Sequence, residues 1–310
     1  MRPLSSRPVR PVEKELGNVH VGDSPLVAGF FILLAAASLL AYSFGLVEYS
    51  DQFPGLGQPG VVKEHLFLLL GATLLASLLH VIGSVAVRKR APRVTVVIGV
   101  AMAARLILLF GSPAPILEGD PERTRFDGRI VNLGFNPYEF TPEELAAEQP
   151  PEGVTDGDSL RRFRQAQSQM SKTAQSTSMP LPGDLRRPDL KTSATPLSLW
   201  VASIADRFKP SSTRGYAFCI LVADALAMFF IVLALNALGL PAGWLLVYAW
   251  SPVLVRECYV TLSVDAFVLP GLAMLVWGLA RGRRLAAGVA VALAASIRPI
   301  MLLFLPSHLR

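Results

Sequence analysis

The chain alternates long apolar runs with polar connections, and seven apolar runs stand out. The first two contain no Asp, Glu, Lys or Arg, and at about 1.5 Å per helical residue each can cross a hydrocarbon layer of about 30 Å. Pro252 and Pro270 interrupt the fifth and sixth runs, so we expect these to need neighbouring helices for insertion. The pattern predicts an all-α integral membrane protein with about seven transmembrane helices, at residues 26–47, 66–87, 94–110, 216–235, 240–255, 264–280 and 285–305.

The composition agrees with this class of protein. Of the 310 residues, 52% are hydrophobic and 17% are charged, and the mean hydropathy is +0.46, more than the core of a soluble domain requires. The basic residues behind the net charge of +6 lie between apolar runs, which indicates contact with membrane lipid and argues against binding of nucleic acid. The four His and two Cys residues show no ligand spacing, so the sequence assigns no resident cofactor and leaves a divalent metal and the oligomeric state open.

The short basic connections predict which side of the membrane each loop occupies. Residues 88–93, RKRAPR, and residues 281–284, RGRR, are both densely basic and should be cytoplasmic by the positive-inside rule. Counting spans from either connection puts the N-terminus inside and the third-to-fourth connection outside a cytoplasmic membrane. The predicted organisation is a cytoplasmic tail at 1–25, three spans within 26–111, an extracytoplasmic loop at 112–213, four spans within 214–306 and a C-terminal end at 307–310.

The extracytoplasmic loop is far longer than a turn and should contain short helices. Thr141 begins a capping-box pattern, with Pro142 at the first helical position and Glu144 three residues after the cap, which predicts a helix there. Residues 165–178 are polar and low in complexity and are interpreted as a flexible insert. Residues 196–208 have apolar positions at helical spacing and predict a helix at the membrane surface before the fourth span.

The segment ARLILLFGSPAPILEGDPERTRFDGRIVNLGFNPYEFTPEEL, residues 104–145, resembles the start of the catalytic loop in GT-C integral-membrane glycosyltransferases, especially bacterial mannosyltransferase-like members that use polyprenyl-phosphate sugars. The resemblance continues with Asp224, with YAWSPVLVRE at residues 248–257, and with Asp265. Gly119 replaces an expected second aspartate, Ser251 replaces an expected asparagine, and the family usually has more than seven spans, so we expect a shortened or divergent member. The loop residues that fall in register are Arg105, Asp120, Arg123, Phe126, Asp127, Gly128, Arg129, Gly134, Asn136, Pro137 and Tyr138.

The resemblance implies an activity and a set of site residues. The activity is transfer of a mannose-like sugar from a polyprenyl-phosphate donor to a hydroxyl of a glycan or lipid acceptor on the outer face of the membrane. Asp120 is the predicted catalytic base, with Glu118 beside it, while Arg123, Arg129 and Arg298 are placed to hold donor phosphate. The full set of predicted substrate-binding residues is Arg123, Asp127, Arg129, Asn136, Tyr138, Glu257, Asp265 and Arg298.

Other interpretations of the same residues stay open at the level of sequence. Asp120 precedes a proline and could simply cap a helix or turn. Asp127 and Arg129 could form a structural ion pair, and Asp224 and Arg298 could neutralise one another inside the membrane. At the level of the whole protein, the alternatives are a catalytically silent GT-C relative and a transporter or lipid-handling membrane protein.

Overall fold

The computed structural model describes residues 25–50, 62–111, 120–147, 149–151, 157–176, 185, 187–210 and 212–308, and every regular element within these ranges is helical. Short 3₁₀ helices at Ala242–Leu245, Val264–Phe267 and Pro299–His308 accompany the α-helices. The α-helices are α1 Pro25–Ser50, α2 Val62–Ala86, α3 Val94–Gly111, α4 Asp120–Asn132, α5 Pro142–Ala146, α6 Gly157–Ser176, α7 Pro196–Phe208, α8 Thr213–Ala237, α9 Leu246–Ala249, α10 Pro252–Tyr259, α11 Leu269–Ala280 and α12 Arg284–Ile297.

Four helices of the described chain are long and apolar enough to cross a membrane, namely α1, α2, α3 and α8. A fifth candidate is a bent pair formed by Pro252–Tyr259 and Val264–Ala280, whose axes differ by 109°. The all-helical class is therefore confirmed for the described residues, and the first four predicted spans coincide with helices that could cross a membrane. The count of seven spans stays a prediction.

The segment 240–255 does not form the single helix that its hydropathy predicts. It forms a 3₁₀ helix, then α9, and then the first turns of α10, because Pro252 has no amide hydrogen to continue α9 and begins a new helix instead. The last predicted span, 285–305, is also divided, since Arg298 is extended between α12 and the 3₁₀ helix that Pro299 begins.

The two basic connections lie at the same end of the helices. The 3₁₀ helix after α8 packs against residue 92, where the carbonyl oxygen of Pro92 faces Gly243. The end of α11 lies near that end as well, because Trp277 contacts Phe230 in the last third of α8. At the opposite end, Arg214 Nη2 at the start of α8 donates a hydrogen bond of 3.3 Å to the carbonyl of Phe110 at the end of α3. The connection between α3 and α8 therefore lies away from both basic connections.

The connection between α3 and α8 forms a helical layer with a hydrophobic core of its own. The predicted helix at Thr141 is confirmed, because the Thr141 hydroxyl accepts from the Glu144 amide at 3.0 Å and the Glu144 carboxylate accepts from the Thr141 amide at 2.6 Å. The helix at 196–208 is confirmed as α7, and its place at a membrane surface stays a prediction. The buried apolar residues of the layer include Phe126, Ile130, Phe140, Leu145, Phe163, Ala166, Met170 and Leu185.

The interpretation of 165–178 as a flexible insert requires correction. Residues 165–176 continue α6, and residues 177–178 lie outside the described residues. Phe163, Ala166 and Met170 recur at helical spacing and are buried in the core of the layer, where Phe163 packs edge to face on Phe140 at 5.3 Å. These three apolar positions are enough to bury one face of the helix. The surrounding Gln and Ser residues made their helical spacing hard to recognise in the sequence.

α4 and α7 are held together at close range. A Cβ atom on Gly128 would lie 2.6 Å from the carbonyl of Ala202, so only glycine allows the two helices to approach this closely. Asn132 Nδ2 extends the contact by donating to the Ser203 carbonyl at 2.9 Å and to the Asp206 carboxylate at 2.8 Å. The position of α4 is therefore fixed relative to α7, and through α7 relative to α8.

A buried ion pair between Arg105 of α3 and Asp224 of α8 connects the apolar helices. Both side chains are fully buried, and Arg105 Nε donates to Asp224 Oδ2. Tyr248 and Tyr259 donate their hydroxyl hydrogens to the same carboxylate, at 2.7 and 3.1 Å. Asp224 therefore does not neutralise Arg298, which pairs with Asp265 instead. The pair satisfies two charges that would otherwise cost about 2.5–3.5 kcal/mol each at the centre of a membrane helix.

Arg105 also stabilises the break that separates α9 from α10. Its Nη1 donates to the carbonyl of Ala249, the last residue of α9, at 2.8 Å. Trp250 Nε1 donates to the carbonyl of Val97 at 2.9 Å, which ties the same break to α3. Backbone that is not helical is tolerated within apolar surroundings only where other protein groups satisfy it, and the Arg105 guanidinium does so for the Ala249 carbonyl.

Replacing Asp224 with Asn should destabilise the protein strongly. The substitution leaves the Arg105 cation buried without its counterion, a change that costs about 3–5 kcal/mol in other proteins. Denaturant unfolding of the detergent-solubilised protein would measure the loss. The matched control is Glu257→Gln, which breaks a partly exposed ion pair with Arg256 and should cost less than about 1 kcal/mol. Equal losses in the two variants would contradict the structural role assigned to Asp224.

Candidate functional site

A cavity of about 580 Å³ lies where the layer between α3 and α8 meets the apolar helices. Its walls are one face of α4, residues 187–195, the turn at residues 262–264 and the end of α12. We call residues 187–195 the strap. The volume is within the range of about 300–1,000 Å³ that is common for small-molecule sites. The charged side chains of the wall are Arg123, Asp127, Arg187, Lys191 and Arg298.

The face of α4 that lines the cavity includes Arg123, Thr124 and Asp127. Asp120, the predicted catalytic base, is the first residue of α4 and precedes Arg123 by three positions. The surroundings of the Asp120 side chain lie outside the described part of the structure. Glu118, the second predicted catalytic residue, lies outside the described residues altogether.

Arg123 and Asp127 form an ion pair one helical turn apart. Arg123 Nε donates to Asp127 Oδ1 at 3.1 Å, and the hydroxyl of Thr192 in the strap donates to Asp127 Oδ2 at 2.6 Å. Burial raises the pKa of the Asp127 carboxyl above its usual range, although the Thr192 hydroxyl and the Arg123 guanidinium act in the opposite direction. Both carboxylate oxygens therefore already have protein donors, and Asp127 belongs to the wall of the cavity.

The remaining donors of Arg123 hold the strap. Nη2 donates to the carbonyl of Leu190 at 2.8 Å, and Nη1 lies 3.4 Å from the carbonyl of Arg187. The expected role of Arg123 in holding phosphate therefore competes with contacts that it already makes to protein. Its observed contacts make it a structural link between α4 and the strap.

Further contacts fix the strap from α5 and from the turn after α4. The amide of Glu143, in the first turn of α5, donates to the carbonyl of Pro188 at 2.9 Å. The Tyr138 hydroxyl donates to the carbonyl of Ala194 at 2.7 Å, and Asn136 Oδ1 accepts from the Tyr138 amide at 3.0 Å. Asn136 and Tyr138, which the resemblance places in substrate binding, thus shape the turn and hold the strap, and neither lines the cavity.

Two strained backbone positions border the cavity. Arg187 has φ of 52° and Leu262 has φ of 53°, and these are the residues other than glycine with positive φ in the part of the chain that the structure describes. A left-handed conformation is unfavourable for a side chain as large as leucine and persists where surrounding contacts enforce it. Strain of this kind is concentrated at functional sites, which favours the cavity as the site of function.

The end of α12 contributes a second ion pair at the edge of the cavity. Arg298 lines the wall and its Nε donates to Asp265 in the 3₁₀ helix before α11. About half of each side chain remains exposed, 48% for Arg298 and 59% for Asp265, so solvent or a ligand can reach this pair. The structure therefore brings together Arg123, Asp127 and Arg298, with Asp265 attached through Arg298.

Besides Asn136 and Tyr138, two further predicted binding residues lie away from the cavity. Arg129 faces α7 and pairs with Asp206 at 3.3 Å, which also overturns the alternative of an ion pair between Asp127 and Arg129. Glu257 pairs with its neighbour Arg256 in α10. Neither Arg129 nor Glu257 is among the residues that line the cavity.

Sequence reasoning missed the basic and hydroxyl residues of the strap. Arg187, Lys191 and Thr192 line the cavity, yet they follow a polar stretch that gives no regular pattern. A usable signal was present, because Arg187 and Lys191 lie nine and five positions before Pro196, where the helix predicted at the membrane surface begins. Leu262 could not have been identified, since its importance comes from its backbone conformation.

No family model, curated protein or solved structure matches this chain. The similarity to GT-C glycosyltransferases therefore stays a prediction that rests on the sequence motifs. Among the described residues, no three His, Cys, Asp or Glu side chains come together in a group that could hold a metal ion.

Replacing Arg123 with Gln should loosen the strap. The variant loses the ion pair to Asp127 and the donors to the strap carbonyls, so the amides of residues 187–195 should exchange with deuterium at least severalfold faster. The matched control is Arg207→Gln, which removes an exposed arginine that also bonds α4, through Asn132 Oδ1 at 2.8 Å, but does not touch the strap. Hydrogen exchange measured by mass spectrometry reports both variants, and unchanged exchange in Arg123→Gln would contradict this role.

Proposed function

We propose that this protein is a glycosyltransferase of the cytoplasmic membrane, related to the GT-C branch that uses polyprenyl-phosphate sugars. It moves a mannose-like sugar to a hydroxyl of a glycan or lipid acceptor on the outer face. The observation that carries the proposal is the cavity between the helical layer and the apolar helices, with basic side chains in its wall and Arg123, Thr124 and Asp127 of α4 along one side.

The reaction requires one bond to form and one to break. The oxygen of the acceptor hydroxyl attacks the anomeric carbon, the bond from that carbon to the phosphate oxygen breaks, and its electron pair stays on the departing polyprenyl phosphate. The hydroxyl proton passes to a carboxylate, the role proposed for Asp120. Positive charge develops on the sugar and negative charge on the phosphate, so basic side chains near the phosphate lower the barrier.

The composition of the wall suits a donor with a charged head and an apolar tail. The strap supplies polar and basic groups, while Leu262, Val264, Ile297 and Pro299 add apolar surface from the membrane-helix side. A polyprenyl chain can remain in lipid while its phosphate and sugar enter such a cavity. A water-soluble nucleotide sugar would not need apolar surface on one side only.

The location of the cavity agrees with the predicted outer face. It lies at the end of the helices opposite the basic connections 88–93 and 281–284, which the positive-inside rule assigns to the cytoplasm. In this topology α1, α2, α3 and α8 are followed by three further crossings: the broken segment 242–259, the segment 264–280, and α12 with the 3₁₀ helix after it. These complete the proposed seven spans.

The contacts of the buried charges favour an enzyme over a transporter. Transporters place intramembrane charges along a path for substrate. Here Arg105 and Asp224 are fully buried, are paired with each other and do not line the cavity. A catalytically silent relative would conserve the fold without the chemistry, and the loss of transfer on substitution of Asp120 distinguishes it from an active enzyme.

Replacing Asp120 with Asn should reduce sugar transfer by about 100-fold or more, because the variant cannot accept the acceptor proton. Transfer from radiolabelled polyprenyl-phosphate sugars in isolated membranes is the measurement. The matched control is Asp158→Asn, an exposed aspartate in the first turn of α6 in the same layer, which should retain full activity. Equal transfer by the wild type and Asp120→Asn would remove Asp120 from the mechanism, and no transfer from any donor would favour the silent relative.

Cysteine labelling should place the layer outside the cell and the 281–284 connection inside. In a background with the free cysteines Cys219 and Cys258 replaced by Ala, Ser168→Cys on the exposed face of α6 should react with a membrane-impermeant maleimide in intact cells. Arg281→Cys should react only after the cells are opened. The reverse pattern would put the cavity on the cytoplasmic side and exclude the proposed topology.

A further inference from the structure

The strap presents two basic side chains that have no partner in the described part of the chain. Arg187 and Lys191 are exposed and line the cavity, and neither side chain makes a hydrogen bond or ion pair to a described residue. The other basic groups of the wall differ in this respect, because Arg123 pairs with Asp127 and Arg298 pairs with Asp265. The positive charge that remains for a ligand is therefore concentrated on the strap.

The backbone of the strap is held in place although these side chains are not. Its carbonyls at Arg187, Pro188, Leu190 and Ala194 accept hydrogen bonds from α4, α5 and Tyr138, and its Thr192 hydroxyl donates to Asp127. A backbone that is already held in place loses less conformational entropy when the side chains it carries bind an anion. The positive φ of Arg187 is a further sign that its conformation is enforced.

We infer that Lys191 and Arg187 form a phosphate-binding subsite in the cavity, with Arg298 contributing from the end of α12, and that Arg123 is a positioning residue that holds the strap. The ligand chemistry is a phosphate ester. Its several oxygens can accept from cations that approach from separate chain segments, as these do. In the proposed reaction the ligand is the phosphate of the lipid donor, so this identification rests on the proposed function.

Two sources of phosphate must be distinguished. A lipid phosphate would use the apolar wall at Leu262, Val264 and Ile297 as well as the strap, whereas inorganic phosphate would use the strap alone. The probes are therefore a long-chain polyprenyl phosphate without sugar, the matching neutral polyprenol, and inorganic phosphate. Each is added to the full chain in nanodiscs, and binding is followed by native mass spectrometry and by the shift in thermal unfolding temperature.

Polyprenyl phosphate should bind about tenfold more tightly than polyprenol. Lys191→Gln and Arg187→Gln should each weaken the binding of polyprenyl phosphate about tenfold. Lys191→Arg should retain most of the wild-type affinity, because it keeps the positive charge. Lys209→Gln, an exposed lysine that follows α7 in the same layer and does not line the cavity, should bind like the wild type. Arg123→Gln should also weaken binding. Added salt should weaken binding less steeply in Lys191→Gln than in the wild type, but equally steeply in Arg123→Gln, because Lys191 touches the phosphate and Arg123 does not.

The results separate this inference from the proposed function. Wild-type affinity in both Lys191→Gln and Arg187→Gln, or equal binding of polyprenyl phosphate and polyprenol, overturns the subsite. Tight, Lys191-dependent binding of inorganic phosphate alone keeps the subsite and excludes the lipid-linked donor. Normal binding of polyprenyl phosphate together with no sugar transfer from any donor keeps the subsite and removes the enzymatic proposal.

Discussion

The fold depends on the buried ion pair between α3 and α8, because either charge alone would be strongly unfavourable among the apolar helices. Arg105 and Asp224 are each expensive to bury, and the attraction between opposite charges is strong where the dielectric constant is low. Such a pair contributes little net stability compared with apolar residues of similar size. What it provides is a single arrangement, because any other packing of α3 against α8 would leave a buried charge unpaired. Tyr248 and Tyr259 extend this requirement to α9 and α10, since their hydroxyl groups donate to the same carboxylate.

The consequence reaches the cavity through the broken segment between α8 and α11. Arg105 satisfies the last carbonyl of α9, so the chain can stop one helix and start another within apolar surroundings. α10 then leads into the turn that contains Leu262, whose left-handed backbone points the chain into α11 at a bend of 109°. That turn is one wall of the cavity, while α4 and the strap are the others. The site therefore lies where the helical layer meets the apolar helices, and neither part would form the cavity alone.

The sequence predicts best where one local pattern decides the structure. Long apolar runs predict α1, α2, α3 and α8, and the capping box at Thr141 predicts α5, because each signal is complete within a few turns. Prediction from the sequence fails where contacts between residues far apart in the chain determine the structure. The partners of Asp224 and Arg298 lie 119 and 33 positions away, in elements whose packing no local pattern encodes. The helix α6 was missed for another reason, since its buried stripe of Phe163, Ala166 and Met170 is narrow and the rest of its surface is polar.

The distribution of charge around the cavity depends on one ion pair within a helix and one between distant segments of the chain. Arg123 and Asp127 are one turn apart on α4 and neutralise each other, which is the kind of pair that a helix forms by itself. Arg298 and Asp265 form a second pair across the far wall. Both pairs leave the strap as the part of the wall with excess positive charge, and hydrogen bonds from α4 and α5 determine where that charge lies. An anion in the cavity would therefore be drawn toward the strap.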